Sequence, residues 1–163
     1  MVEEGFTDEQ LKAFEDNKIS FADLVGIPGE MLAYFAEVAY NYYDVGKYDE
    51  AEKIMRTVID LDPKIAYSHT LMGAIYQKQE KWDDAIKEYT ESLQLKPDDT
   101  SALVNRGELY LQSGAFDEAA QDLEKAIDLD PDGKDSYALR ARALVVVTHD
   151  LLKEAEKKAK EGA

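Results

Sequence analysis

The chain has 163 residues, of which 45% are hydrophobic, so it is long enough to form one domain with a sizeable core. Its formal net charge of −16 argues against binding to nucleic acid or to an anionic membrane surface, because both need clustered lysine and arginine. There is no cysteine for a disulfide, no apolar stretch long enough to span a bilayer and no signal-peptide pattern, so we expect a cytoplasmic protein.

The first 30 residues, here called the leader, predict two short helices. Thr7 and Gln10 fit the capping box of a helix that ends near Glu15. A second helical turn covers Ile19–Val25 and is closed by Gly26. The leader has too many large apolar side chains for a solvated tail, so we expect it to pack on the first repeat or in a homodimer. The side chains assigned to this packing are Leu11, Phe14, Phe21 and Leu24.

Residues 32–133 repeat with a period of 34. We divide them into repeats 32–65, 66–99 and 100–133, followed by a capping segment at 134–163. A small residue, an aromatic residue three positions later, a second aromatic, an alanine and a proline recur in this order, which resembles the tetratricopeptide (TPR) pattern. The recurring residues are Ala39, Gly73 and Gly107; Tyr42, Tyr76 and Tyr110; Tyr48, Trp82 and Phe116; Ala51, Ala85 and Ala119; and Pro63, Pro97 and Pro131.

Each repeat predicts two antiparallel helices, helix A and helix B. In the first repeat, helix A covers Leu32–Val45 and helix B covers Tyr48–Leu61. In the second repeat, they cover Ala66–Gln79 and Trp82–Leu95. A proline follows each helix B and stops it, because proline cannot continue the hydrogen-bond ladder. The resemblance therefore implies an all-α TPR superhelix.

Small and aromatic residues set the predicted packing within a repeat. Gly73 and Gly107 lie on helix A, where the absence of a side chain allows helix B to approach closely. We predict that the aromatic residues that open helix B belong to the core, and these are Tyr48, Trp82 and Phe116.

Segment 134–163 continues the repeat register for one more helix. Tyr137 and Ala141 occupy the positions of a fourth helix A, but no paired helix B follows. A stacked array exposes its last apolar face unless a helix covers it. We therefore predict a C-terminal capping helix.

No pattern in the chain predicts an active site. His69 and His149 lie far apart, and no nucleotide-binding or nucleophile motif is present. His69 occupies a bulky core position of its helix A, which favours a packed, hydrogen-bonded imidazole over a general base. Residues 128–133 match the start of a calcium loop, but Leu139 stands where the bidentate glutamate is required. We expect a protein that is not an enzyme and binds no metal or cofactor.

The TPR resemblance implies a concave groove that holds an extended peptide. In that family, repeat positions 2, 5, 9 and 12 of each helix A line the groove. Small residues beside tyrosines favour an apolar or proline-containing segment of a partner protein. The groove residues predicted in this way are Ala33, Ala36, Tyr40, Tyr43, Tyr67, Thr70, Ala74, Gln77, Ser101, Val104, Glu108 and Leu111.

TPR co-chaperones that grip the C-terminal carboxylate of heat-shock proteins offer a test of this groove. They use lysine and asparagine at positions 5 and 9 of the first repeat, where this chain has Ala36 and Tyr40. An acidic ligand would also meet a chain with a net charge of −16. The sequence therefore disfavours a carboxylate clamp.

A closer resemblance comes from the leader read together with the repeats. The order ISFADLVGIPGEML, AYNYYDVGKYDEAEKIM and YQKQEKWDDAIKEY is similar to that of the class II translocator chaperones of type III secretion systems. Those are small, acidic, cytosolic three-repeat proteins whose N-terminal helices can mediate dimerisation, and they bind an apolar, proline-bearing segment of a translocator. The resemblance implies the same role here. The alternative is a TPR adaptor in a bacterial signalling or motility complex.

Overall fold

The protein is described by a computed structural model that covers residues 5–161. This part of the chain is all-α, as predicted, and contains no strand. Its helices are α1 (Asp8–Glu15), α2 (Phe21–Val25), α3 (Gly29–Asp44), α4 (Tyr48–Leu61), α5 (Ala66–Lys78), α6 (Trp82–Leu95), α7 (Thr100–Ser113), α8 (Phe116–Asp128) and α9 (Ser136–Glu161).

Two capping boxes start the leader helices. The Gln10 backbone N–H donates to Thr7 Oγ1 at 3.2 Å, and the Thr7 N–H donates to Gln10 Oε1 at 2.9 Å. Ser20 and Asp23 form the same arrangement at the start of α2. The backbone N–H of Ser20, followed by its hydroxyl, lowers the pKa of Asp23 by stabilising the carboxylate. Gly26 then closes α2 in the left-handed conformation, with φ 76°.

The leader folds back on the first repeat only in part. The second leader helix packs against α4, and its Leu24 is buried. By contrast, α1 buries no residue. The rings of Phe14 and Phe21 lie 6.0 Å apart, yet Leu11, Phe14 and Phe21 all remain at least 40% exposed. Leu24 is therefore a contact within the chain, whereas the other three side chains form an apolar surface.

Three helix pairs, α3–α4, α5–α6 and α7–α8, stack in sequence, and α9 packs against α8 and α7. The helices α4 and α6 occupy the ranges that the sequence predicts. The helix α3 begins at Gly29 instead of Leu32, because Pro28 provides an extended N-cap and Gly29 fits the first turn. In the first A–B turn Gly46 has φ 78°; in the second, Glu80 takes the same left-handed conformation, with φ 60°.

Glycine at the repeated small position makes the close approach of helices A and B possible. A Cβ atom on Gly73 would lie 2.7 Å from Cε1 of the fully buried Tyr89. A Cβ atom on Gly107 would lie 3.0 Å from Cγ of Leu123. Both glycines therefore have the packing role that the sequence predicts.

One predicted core residue is misplaced. Tyr48 and Phe116 are half-buried, but Trp82 is 43% exposed. The ring of Tyr48 packs 5.8 Å from that of Tyr43 on the facing helix. At the equivalent place in the next repeat, α5 has Gln77, whose side-chain oxygen accepts a hydrogen bond from Tyr89. Trp82 is therefore a surface residue rather than a core residue.

An ion pair inside the third repeat joins three helices. Nε and Nη2 of Arg106 donate to the two carboxylate oxygens of Asp122 at 2.7 and 2.8 Å. The third contact runs from Nη1 to the Thr90 hydroxyl on α6 at 2.9 Å. Arg106 also lies over the ring of Tyr110. This bidentate pair holds α7 against α8 and links them to α6.

His69 is the packed, hydrogen-bonded imidazole that the sequence predicts. Its Nδ1 lies 2.8 Å from Glu88 Oε2, and its Nε2 lies 2.8 Å from the carbonyl oxygen of Pro63. Both partners are acceptors, so only the doubly protonated ring can donate to both. The hydrogen bond to Glu88 raises the pKa of His69, and burial opposes this increase.

We expect the free energy of unfolding to fall as the pH rises through the pKa of His69. A raised pKa in the folded protein means that the charged ring stabilises the fold fully below the unfolded value near 6.5 and loses this effect above the folded value. Urea unfolding at pH 6, 7 and 8 measures the change.

His69→Gln should flatten this pH profile. His149→Gln is the matched control, because His149 is exposed on α9 and the chain has no third histidine. A profile unchanged by His69→Gln, or flattened by His149→Gln, would contradict the assignment.

Candidate functional site

Two adjoining cavities lie along the A helices. The first, the tyrosine cavity, has a volume of about 420 Å³ and is lined from α3, α5, α7 and α9, with Trp82 at one end. The second, the apolar cavity, has a volume of about 390 Å³ and lies between α3 and α5. Tyr40 and Tyr67 line both cavities, so the two adjoin at this tyrosine pair.

Four tyrosines converge on the tyrosine cavity. Tyr40 and Tyr43 lie three residues apart and so share a face of α3, with their ring centroids 6.2 Å apart. Tyr67 comes from α5 and Tyr137 from α9. Burial raises the pKa of both Tyr43 and Tyr67. These phenols are therefore neutral near pH 7 and can both donate and accept hydrogen bonds.

A buried tyrosine on α6 supports a residue of α5 that lines the tyrosine cavity. Tyr89 reaches from α6 past Gly73, and its hydroxyl donates to Gln77 Oε1 at 2.9 Å. Burial raises the pKa of Tyr89 strongly, so it stays protonated. Gln77 is thus fixed in orientation by a core residue, which leaves its amide N–H₂ group as the donor for a ligand.

The apolar cavity carries few polar groups. Its lining includes Leu32, Ala33, Ala36 and Ile65. Ser68 also lines it, but the Ser68 hydroxyl is buried out of reach of a ligand and has no hydrogen-bond partner within the described part of the chain. The cavity therefore suits a bulky apolar side chain.

The capping helix α9 closes one side of the tyrosine cavity. Arg140 forms an ion pair with Glu108 on α7, and its Nη1 lies 3.4 Å from Oδ1 of Asn105. Both Tyr137 and Arg140 line the cavity, although the sequence predicts only a capping role for this segment. The repeat register gave no signal for them, because it aligns Tyr137 with His69, at a position assigned to the core, and Arg140 with Arg106, outside the groove positions.

Nine of the twelve predicted groove residues line one of the two cavities, and three do not. Val104 is fully buried, so its assignment to the groove surface is wrong. Glu108 pairs with Arg140, and Leu111 packs against the core. The nine that line a cavity are Ala33, Ala36, Tyr40, Tyr43, Tyr67, Thr70, Ala74, Gln77 and Ser101.

Position 5 of helix A is nearly covered in every repeat. Ala36, Thr70 and Val104 are 5%, 7% and 0% exposed. Each neighbouring pair of A-type helices is in contact, namely α3 with α5, α5 with α7 and α7 with α9. The third contact is the most extensive, which is why Val104 is fully covered while Ala36 and Thr70 still reach a cavity.

Comparison with protein families identifies the repeats. A tetratricopeptide repeat family matches residues 33–65, and a second tetratricopeptide repeat family matches residues 72–143. The two ranges together cover more than half of the chain. The protein therefore belongs to the tetratricopeptide repeat family. No curated protein matches the sequence. Among the described residues, no helix is long and apolar enough to cross a membrane.

The fold is similar to that of type III secretion chaperones. The translocator chaperone SycD of Yersinia enterocolitica superposes with a TM-score of 0.73 at 24% identity, over 79% of this chain and 98% of SycD. Pseudomonas aeruginosa PcrH, bound to the chaperone-binding region of PopD, gives a TM-score of 0.71 at 24% identity, over 77% and 96% of the two chains.

The same fold also occurs with a different ligand. The first TPR of Spaghetti, bound to the HSP90 peptide SRMEEVD, superposes with a TM-score of 0.70 at 22% identity, over 77% of this chain and 96% of that one. At these identities the similarity establishes the fold, and the ligand has to be inferred from the cavity residues of this chain.

Proposed function

We propose that this protein is a chaperone-like binding module that holds an extended segment of a partner protein along the apolar and tyrosine cavities. The observation that carries this proposal is that the two cavities adjoin, with Tyr40 and Tyr67 lining both. An extended peptide places successive side chains about 3.3 Å apart along its length, so one short segment can reach both cavities.

The chemistry of the cavities favours an apolar, proline-containing ligand over an acidic one. Aromatic rings pack well against proline, and the neutral phenols can bond to the backbone carbonyl groups of the ligand. Two cations line the tyrosine cavity: Arg140 from α9 is already paired with Glu108, and Lys78 lies in the last turn of α5. The carboxylate-clamp positions hold Ala36 and Tyr40, so the ligand of Spaghetti is a poor guide for this chain.

A translocator of a type III secretion system is the partner class that we propose. SycD is a translocator chaperone whose fold resembles this one, and it has been captured with a peptide of the translocator YopD. PcrH, also similar in fold, has been captured with the chaperone-binding region of PopD. Copurification from the native host, followed by mass spectrometry, should identify a membrane-inserting translocator. A GTPase or a response regulator as the main partner would instead support an adaptor in a signalling or motility complex.

Removing either shared tyrosine should weaken peptide binding. We expect Tyr40→Ala and Tyr67→Ala each to cost about 1–2 kcal/mol of binding free energy, because each ring contributes to the walls of both cavities. Isothermal titration with a partner segment measures the loss, and circular dichroism checks helicity.

Tyr34→Ala is the matched control for these variants. Tyr34 lies on the same helix as Tyr40, but it is 61% exposed and lines neither cavity. Its removal should leave the affinity unchanged. Equal losses in all three variants, or none in any, would contradict the groove assignment.

We further propose that the exposed leader residues form a homodimer contact. Leu11, Phe14 and Phe21 present an apolar surface that the rest of the described chain leaves uncovered. Multi-angle light scattering should show a dimer for the full chain and a monomer for the Leu11→Asp/Phe14→Asp double variant. Val45→Asp, at another exposed apolar residue, is the control. A monomer in all three proteins would overturn the dimer proposal.

A further inference from the structure

The exposed Trp82 lines a second surface groove besides the tyrosine cavity. This α6/α7 groove lies between the start of α6 and the end of α7 and has a volume of about 390 Å³. Its base is apolar, because Ile86 and Leu109 line it together with the indole ring. Asp83, Gln112 and Ser113 form its more polar edge.

The α6/α7 groove adjoins the tyrosine cavity. Trp82 and Gln112 line both of them. A peptide that leaves the tyrosine cavity beside Trp82 therefore has the α6/α7 groove next to it.

The exposure of Trp82 sets it apart from its repeat equivalents. It is 43% exposed, whereas Tyr48 and Phe116 at the same repeat position are half-buried. It is also the single tryptophan of the chain. Tryptophans that are left accessible beside a groove and become covered by a partner are the residues most often found to dominate binding energy.

The rim of the α6/α7 groove carries carboxylates that are not paired with cations of the described chain. Asp83 lies in the groove, and Asp84 and Glu80 lie beside it around the indole. None of the three forms an ion pair with another described residue. The nearby Lys81 is engaged elsewhere, because its Nζ donates to Glu52 at 3.0 Å and lies 5.1 Å from the centre of the Tyr76 ring. A basic group on the ligand complements this rim.

We propose that the bound partner segment continues past Trp82 and places a large apolar side chain, followed by a lysine or arginine, in the α6/α7 groove. This inference rests on the proposed function of the two concave cavities and extends it to a third contact. The apolar side chain covers Trp82 and Ile86, and the basic side chain pairs with Asp83. The ligand is thus apolar in the concave cavities and basic at this exit.

A phage-displayed library of random 16-residue peptides tests the inference on the full chain. Peptides selected on the wild-type protein should carry an apolar, proline-containing stretch and, several residues away, a Leu, Met or Phe next to Lys or Arg. Their affinities should fall about tenfold or more in Trp82→Ala, since a hot-spot ring is lost, and about threefold in Asp83→Lys.

Asp117→Lys is the matched control, because Asp117 holds the equivalent exposed position in the first turn of α8. It should leave the affinities unchanged. Versions of the peptides without the basic end should bind wild type and Asp83→Lys equally well. Binding of the full-length peptides should also shift the emission of Trp82 to shorter wavelength and reduce its quenching by acrylamide.

The outcomes separate this inference from the proposed function. Because Trp82 also lines the tyrosine cavity, Asp83 decides between the sites: peptides that depend on Tyr67 but not on Asp83 would overturn the α6/α7 contact and leave the concave cavities as the binding site. Peptides that do not depend on Tyr67 would overturn both. A change of mass in light scattering caused by Trp82→Ala alone would show that a second copy of the chain covers the groove, which also overturns the inference.

Discussion

Gly73→Leu should lower the free energy of unfolding by about 3 kcal/mol or more, at the upper end of the usual overpacking range. Even a Cβ atom at this position would lie 2.7 Å from the Tyr89 ring. That ring cannot move aside easily, because it is fully buried and its hydroxyl is bonded to Gln77. Urea unfolding measured by circular dichroism gives the loss.

A pair of alanine variants provides the control for this position. Gly73→Ala should already destabilise the protein, whereas Gly29→Ala, where no atom lies within 4 Å of the added Cβ, should be neutral or slightly stabilising. Tyr89→Leu should partly rescue Gly73→Ala by freeing space. Equal stabilities for Gly73→Ala and Gly29→Ala would show that helices A and B are not packed as closely as described.

Asp122→Ala should destabilise the third repeat by about 3 kcal/mol, because it leaves the Arg106 guanidinium without its partner in a largely buried site. The Asp122 side chain is only 9% exposed, and the pair also holds Thr90 on the preceding repeat. The loss is measured by chemical unfolding, with hydrogen exchange to locate it in α7 and α8.

The matched control removes an ion pair from the surface. Asp132→Ala breaks the ion pair between Asp132 and Lys134, whose side chains are 69% and 81% exposed, respectively. This change should alter stability very little. The double variant Arg106→Met/Asp122→Leu should recover much of the stability lost in Asp122→Ala, since it removes both charges together. A loss in Asp122→Ala no greater than in Asp132→Ala would contradict the structural role of the pair.

Much of the fold could be predicted because the same packing requirements occur in each of the three repeats. The small residue on helix A, the alanine and opening aromatic of helix B and the proline after helix B recur in register, so the helices α4 and α6 could be placed to the residue. The start of α3 was harder to predict, because it depends on how Pro28 and Gly29 adapt to the leader. The partial burial of the leader also depends on contacts between helices distant in sequence.

The candidate site could be predicted less completely because exposure is a property of the stack. Ala36, Thr70 and Val104 share one repeat position, yet only Val104 is excluded from a cavity, since α9 packs closely on α7. Trp82 has the repeat position of a core aromatic, but its exposure depends on which residue of α5 lies opposite it, and that residue is Gln77. Neither fact is contained in the periodicity of the sequence.

Site-specific photocrosslinking shows directly whether a partner segment lies along the two cavities. Benzoylphenylalanine replaces either Tyr67, which lines both cavities, or Tyr34, which lies outside them on α3. The two proteins are irradiated in the native host, and the crosslinked peptides are identified by mass spectrometry. We expect position 67 to capture one defined apolar, proline-containing segment of a partner protein and position 34 to capture none. Capture of the partner from position 34 and not from position 67 would contradict this expectation.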